Sequence, residues 1–177
     1  MRLVRLMRRA LPEGGYTVLE LVVTSAILLT VMTALTTLFV SGARSELEQN
    51  RSFQAQQEAR LALERLRREV HCASAIAAPS GVAVSSITAT LPAACPSAET
   101  SVVWSTQLVS SGRYRVKRDN VVIADYLTSG TVFTYYAPSS SSLGRLRVDF
   151  PVNVHPSGGS TAWELIDDIV LRNTVRS

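Results

Sequence analysis

The feature that most limits how this chain can fold is a run of 22 residues, Leu21 to Gly42, without one formal charge. Taken from Tyr16 to Ser41 the segment has 26 residues, which as an α-helix rising about 1.5 Å per residue would reach roughly 39 Å. Bilayer hydrocarbon is about 30 Å thick, so the segment can span a membrane. Arg2, Arg5, Arg8 and Arg9 precede it, whereas Arg44, Glu46 and Glu48 follow as a mixed set. The positive-inside rule then leaves the N-terminus in the cytoplasm and everything after Gly42 outside.

Glu20 is the anomaly in this segment. A charge inside a spanning helix costs about 2.5 to 3.5 kcal/mol on insertion scales, so it marks a functional position and needs a partner. Cleavage after Gly15 would make Tyr16 the new N-terminus, with its α-amine one helical turn before Glu20. That amine could pair with Glu20 of the same chain or of a neighbour. Alternatively Glu20 snorkels to the interface near the helix N-terminus, where the dipole favours an anion. The residues alone leave both readings open.

Composition removes other classes. Of 177 residues 46% are apolar and 18% charged, with a mean hydropathy of +0.17, which excludes a disordered, collagenous or large multi-domain chain. The net charge is +4, but residues 1–15 hold +3 of it, so a basic polyanion-binding domain is not indicated.

The order Arg-rich leader, Gly14-Gly15, Tyr16-Thr17-Val18-Leu19-Glu20, then an unbroken apolar run resembles the type III signal of type IV pilin-like proteins. The resemblance implies a leader over 1–15 that prepilin peptidase removes after Gly15, N-methylation of Tyr16, and a role for Glu20 in subunit docking during assembly. It implies a membrane-spanning and later filament-core helix over 16–42, with the outer domain first held at the cytoplasmic (inner) membrane and then displayed on a pilus or pseudopilus. The implied partners are the prepilin peptidase, other pilins or pseudopilins in a helical filament, and an inner-membrane assembly platform. Tyr16 stands where phenylalanine is usual, and Thr37 where major pilins usually carry a helix-breaking proline. The latter favours a minor pilin or a pseudopilin. The stretch Gln56 to Val70 and the terminal Val170-Leu171-Arg172-Asn173 are similar to W-class minor pilins and J-class pseudopilins of type II secretion. No enzymatic role and no cofactor follow from the resemblance.

Two plainer readings stand beside it. Ser41-Gly42-Ala43 is a passable signal-peptidase site, although the apolar region far exceeds the usual 7 to 15 or so residues. An uncleaved single span could instead anchor an extracytoplasmic binding domain or enzyme with no filament role. Neither accounts for Glu20 together with the paired glycines.

Beyond the span, 43–78 reads as a continuation of the helix to about Ile76, free of Gly and Pro and rich in good helix formers. Ala55, Ala59, Ala62, Leu63, Leu66, Val70 and Ala73 recur at three- and four-residue spacing, giving one apolar stripe. So narrow a stripe needs a domain to pack on. Residues 79–177 supply one: alternating Val, Thr, Ser and Tyr between turn signals predict strands over 82–91, 101–109, 113–118, 121–127, 131–136, 145–154 and 163–173, with Asp119-Asn120 as a hairpin turn. The fold class is therefore α+β, a long N-terminal helix packed on a C-terminal antiparallel sheet, which is also what the pilin resemblance implies. Cys72 and Cys95 face an oxidising compartment in this reading, so a disulfide is expected, with free buried thiols as the alternative.

No catalytic constellation is legible. His71 and His155 lack ligand spacing and read as surface or loop residues. Glu164, Asp167 and Asp168 lack the alternating oxygens and turn glycine of a calcium loop. Arg113, Arg115 and Lys117 alternate on one strand face, and Arg145 with Arg147 repeats the pattern. Such a stripe could meet nucleic acid, but a solvated face that deters edge pairing is the favoured reading.

Overall fold

In the computed structural model residues 16–93, 95, 99–155 and 162–173 are described. Among these described residues a single helix, α1, runs Val18–Cys72. It is followed by nine strands: β1 Ala75–Ala77, β2 Ala83–Val84, β3 Ser86–Thr90, β4 Ser101–Ser110, β5 Arg113–Arg118, β6 Val121–Leu127, β7 Phe133–Tyr136, β8 Arg145–Val152 and β9 Trp163–Val170. The chain divides into two units, Met1–Glu46 and Leu47–Ser177. The fold is α+β, with the helix packed on an antiparallel sheet.

All pairings between these strands are antiparallel, in the order β1-β3-β4-β5-β6-β8-β7-β2. β6 and β7 share one side of β8, meeting it at Val152 and at Arg145 to Val148 respectively, while β9 lies along its other side. Asp119 and Asn120, with φ of 45° and 71°, make the β5–β6 turn, as short polar residues tolerate the left-handed region.

Within the unit Leu47–Ser177 the helix stripe is the core's spine. Ala55, Ala59, Ala62, Leu63, Leu66, Val70 and Ala73 are all buried, against Ile87, Val102, Trp104, Val116, Leu127, Phe133, Phe150 and Ile169 from the sheet. Small alanines at 55, 59 and 62 let the sheet approach closely, and Leu63, Leu66 and Val70 add the bulk further along the stripe.

The structure corrects several boundaries. The helix ends at Cys72, short of the expected Ile76 and of the 43–78 segment. Ala73 N–H still bonds back to the Glu69 carbonyl, but Ser74 N–H goes to the Thr90 carbonyl, and Ala75–Ala77 pairs with β3. Helix propensity here loses to a ladder that buries Ile76. The strand expected over 82–91 is two strands, β2 beside β7 and β3 between β1 and β4, because the chain changes partners at Ser85. The strand expected from Thr131 begins at Phe133, β8 stops at Val152 rather than Val154, and β9 stops at Val170 rather than Asn173. At the last of these, Asn173 is used otherwise: its side-chain amide caps the Cys72 carbonyl at 2.8 Å, closing the helix C-terminus from the far end of the chain.

Candidate functional site

The N-terminal end of α1 carries the residues singled out for assembly. Thr17 Oγ1 accepts the Glu20 N–H at 3.2 Å, and the Thr17 carbonyl accepts the Leu21 N–H at 3.2 Å, so Thr17 is the N-cap and Val18 the first helical residue. The Thr-x-x-Glu spacing of a capping box is the signal in the sequence that adds Thr17 to this site. Tyr16 is 81% exposed and outside the helix. The Glu20 side chain is exposed in the first turn, where the helix dipole favours an anion, and no described residue forms an ion pair with it. Gly15, expected at the cleavage point, lies outside the described residues.

Every residue from Tyr16 to Asn50 is exposed. This includes Val18, Leu19, Leu21, Ile27, Leu28, Leu29, Met32, Leu35, Leu38 and Phe39, an apolar surface far larger than a monomeric soluble protein leaves bare. Its hydroxyls do not interrupt that surface. Thr24, Ser25, Thr30, Thr33, Thr36, Thr37 and Ser41 each donate to a carbonyl three or four residues back, at 2.7 to 3.2 Å. Each polar donor is satisfied inside its own helix, so moving the segment into an apolar medium strands none of these hydroxyl donors. The helix is long and apolar enough to cross a membrane.

The unit Leu47–Ser177 is tied by charge where helix meets sheet. Glu69 accepts Trp104 Nε1–H at 2.7 Å and Arg118 Nε–H at 2.7 Å, with Arg65 at 3.6 Å. Arg118, 8% exposed, also pairs with Glu99 and Asp119. Burial works against the Arg118 charge, but its bonds to Glu99 and Glu69 prevail and raise its pKa. Arg118 in turn holds the Glu99 carboxyl below its usual range. Arg67 donates to Asp167 at 2.6 Å, and His71 Nδ1 lies 2.8 Å from the Val170 carbonyl. Cys72 and Cys95 form a disulfide with Cα atoms 5.9 Å apart, which pins the loop after β3 to the helix end.

The basic stripe on β5 differs from the solvated face expected of it. Asp125 accepts Arg113 Nε–H and Nη2–H at 2.9 and 2.7 Å, Arg115 Nε–H at 2.9 Å and the Tyr126 N–H at 2.6 Å. Tyr126 holds a φ of 64°, kept there by that bond and by Arg113 stacked 4.0 Å from its ring centroid. A groove of about 480 Å³ lies here, lined by Glu58, Arg113, Arg115, Val122, Ile123, Asp125 and Tyr126. With Arg113 and Arg115 committed to Asp125 and Glu58 on the wall, the groove carries no net basic charge. Arg145 stacks on Tyr136 at 4.4 Å, and Arg147 lies 3.9 Å from Asp168. His155 Nε2 is 3.9 Å from Glu48 Oε1. Among the described residues no group of three His, Cys, Asp or Glu side chains could hold a metal ion. The structure does not bring Glu164, Asp167 and Asp168 together: Asp167 is paired with Arg67, while Glu164 and Asp168 are exposed.

No protein-family model, no curated protein and no solved structure matches this chain.

Proposed function

We propose that this chain is a minor pilin or pseudopilin, a structural subunit whose helix passes from a membrane into the core of a helical filament of the type IV pilus or type II secretion kind. The single observation that carries the reading is the uncovered apolar half of α1, headed at a capped N-terminus by an exposed Glu20 with no ion-pair partner among the described residues, and joined to a folded unit with a core of its own. In lipid the segment is solvated by acyl chains; in a filament, neighbouring helices take their place. In this reading prepilin peptidase cleaves after Gly15, Tyr16 is methylated, and the amine of Tyr16 neutralises Glu20 of the same or an adjacent subunit as charge leaves water. The Gly14-Gly15 pair ahead of Tyr16 and Glu20 supports this over a plain anchor.

Glu20→Ala tests it. The variant should reach the membrane and be processed to Tyr16, as mass spectrometry of its N-terminus reports, yet be lost from sheared filaments. A wild-type chain beginning at Met1 or Arg44 instead of methylated Tyr16 would remove the filament reading, as would a Glu20→Ala chain that enters filaments normally.

A further inference from the structure

Three strands lie at sheet edges. β1 and β2 have three and two residues, whereas β9 has eight and, among the described residues, pairs only with β8. The ladder fixes which of its backbone groups are spare. Leu171 N–H bonds to the Gly144 carbonyl, and the register runs from Arg145 opposite Val170 to Val152 opposite Trp163. Antiparallel bonding alternates along a strand, so Trp163, Leu165, Asp167 and Ile169 bond towards β8 while Glu164, Ile166, Asp168 and Val170 point their N–H and C=O groups outward. The Val170 carbonyl is met by His71. No described residue bonds the backbone of Glu164, Ile166 or Asp168 on that side.

The side chains of those same residues are exposed, Ile166 to 45%. The pattern is acid, apolar, acid at two-residue steps. A second β9 is a poor partner for it, because antiparallel pairing centred on Ile166 sets Glu164 against Asp168. A strand with basic residues four apart is complementary at both positions, and main-chain bonds would supply the affinity that rim charges do not. Arg147 lies 3.9 Å from Asp168 across β8, an exposed pair that leaves the carboxylate open to a second cation, so the acids block self-pairing along the edge and favour a positively charged strand.

We propose that β9 is a docking edge that takes up an extended basic segment of a partner protein as an added strand, aligned by Glu164 and Asp168. This goes beyond the filament reading and does not depend on it.

The test uses the full chain in detergent micelles and a capped peptide, Thr-Val-Lys-Val-Thr-Val-Lys-Val-Thr, which sets its two lysines opposite the two acids. Saturating peptide should slow amide exchange at Ile166 and Asp168 by about tenfold or more, as capture of open N–H groups does. The same peptide N-methylated at alternate amides keeps its charge and should not bind. The double variant Glu164→Lys, Asp168→Lys, both at exposed positions, should weaken binding at least about fivefold, by loss of two cross-strand ion pairs and gain of two repulsions. It should accept the matching peptide with glutamates in place of lysines. Failure of the lysine peptide to bind would overturn the proposal. So would binding without protection at Ile166, or equal binding of the N-methylated peptide, either of which would mean charge attraction alone. None of these outcomes bears on filament assembly, which Glu20→Ala reads separately.

Discussion

Truncating Glu69 to alanine is the sharpest test of how the folded unit is held. In the native structure this carboxylate, 11% exposed, satisfies two groups that have little other recourse. Trp104 is fully buried, so its indole N–H would be left without an acceptor, at a cost of about 1 to 3 kcal/mol. Arg118 would lose its inner partner but keep Glu99 and Asp119, so the loss falls below the roughly 3 to 5 kcal/mol of a buried cation left alone. Together about 3 to 4 kcal/mol is expected, since the two penalties share one carboxylate and do not add fully. For a folded unit of this size that is about 10 °C or more in Tm. Thermal unfolding of the full chain in detergent measures it, followed by near-ultraviolet circular dichroism throughout and by tryptophan fluorescence in the chains that keep Trp104. Trp104 and Arg118 use different oxygens of Glu69, Oε2 and Oε1, so Glu69→Gln keeps an acceptor for one donor and turns an NH2 towards the other; it should recover only part of the loss, and Trp104→Phe should remove part of the Glu69→Ala penalty when the two are combined. A fall of less than about 3 °C for Glu69→Ala, or strict additivity with Trp104→Phe, would refute the argument that this carboxylate satisfies both buried donors.

Two further outcomes follow from the same unit. Cys95→Ser, or reduction, opens a loop of sequence separation 23, and the chain-entropy treatment sets the loss at about 3 kcal/mol; unfolding curves with and without reductant should converge for the variant. Burial would raise the Asp125 pKa, but bonds from Arg113, the Tyr126 N–H and Arg115 outweigh it and hold the carboxyl below its usual range. A depressed carboxyl contributes its stability fully above the unfolded value, about pH 4, and loses it as pH falls through the folded value. Asp125→Asn should therefore lower Tm at pH 7 and flatten the fall in stability between about pH 4 and 2, a difference visible in Tm measured across that range.

Much of the architecture was legible because its determinants are local or periodic. The helix stripe from Ala55 to Ala73 could be read residue by residue, since a 3.6-residue period requires only one buried face. Six strands, β4 to β9, and the Asp119-Asn120 turn were announced by alternation and by residues that tolerate positive φ. What escaped were points where two local preferences tied and a distant partner decided. Ala73 to Ile76 has helix-forming composition, yet β3 and the disulfide draw it into the sheet. Residues 82–91 read as one strand although the apolar phase shifts at Ser85-Ser86, from Val82 and Val84 to Ile87, Ala89 and Leu91; the positions of β7 and β4 turn that shift into a change of partner between two strands. Arg113 and Arg115 read as a free basic face because Asp125 is ten and more residues away and alternation cannot say which carboxylate crosses over to them.

The N-terminal site divides the same way. Length, hydropathy and the placing of Glu20 behind Gly14-Gly15 are properties of consecutive residues, so the sequence by itself determined that this end carries a helix able to cross a membrane with one acid near its start. The Thr17 cap was also there to be read, its partner being three residues away. Tertiary structure alone decided the rest. It tied Glu69 to both Trp104 and Arg118, closed the helix with Asn173 from about a hundred residues on, and left β9 as the long open edge. Each of these joins groups separated by dozens of residues, and such contacts depend on topology, which no local period encodes.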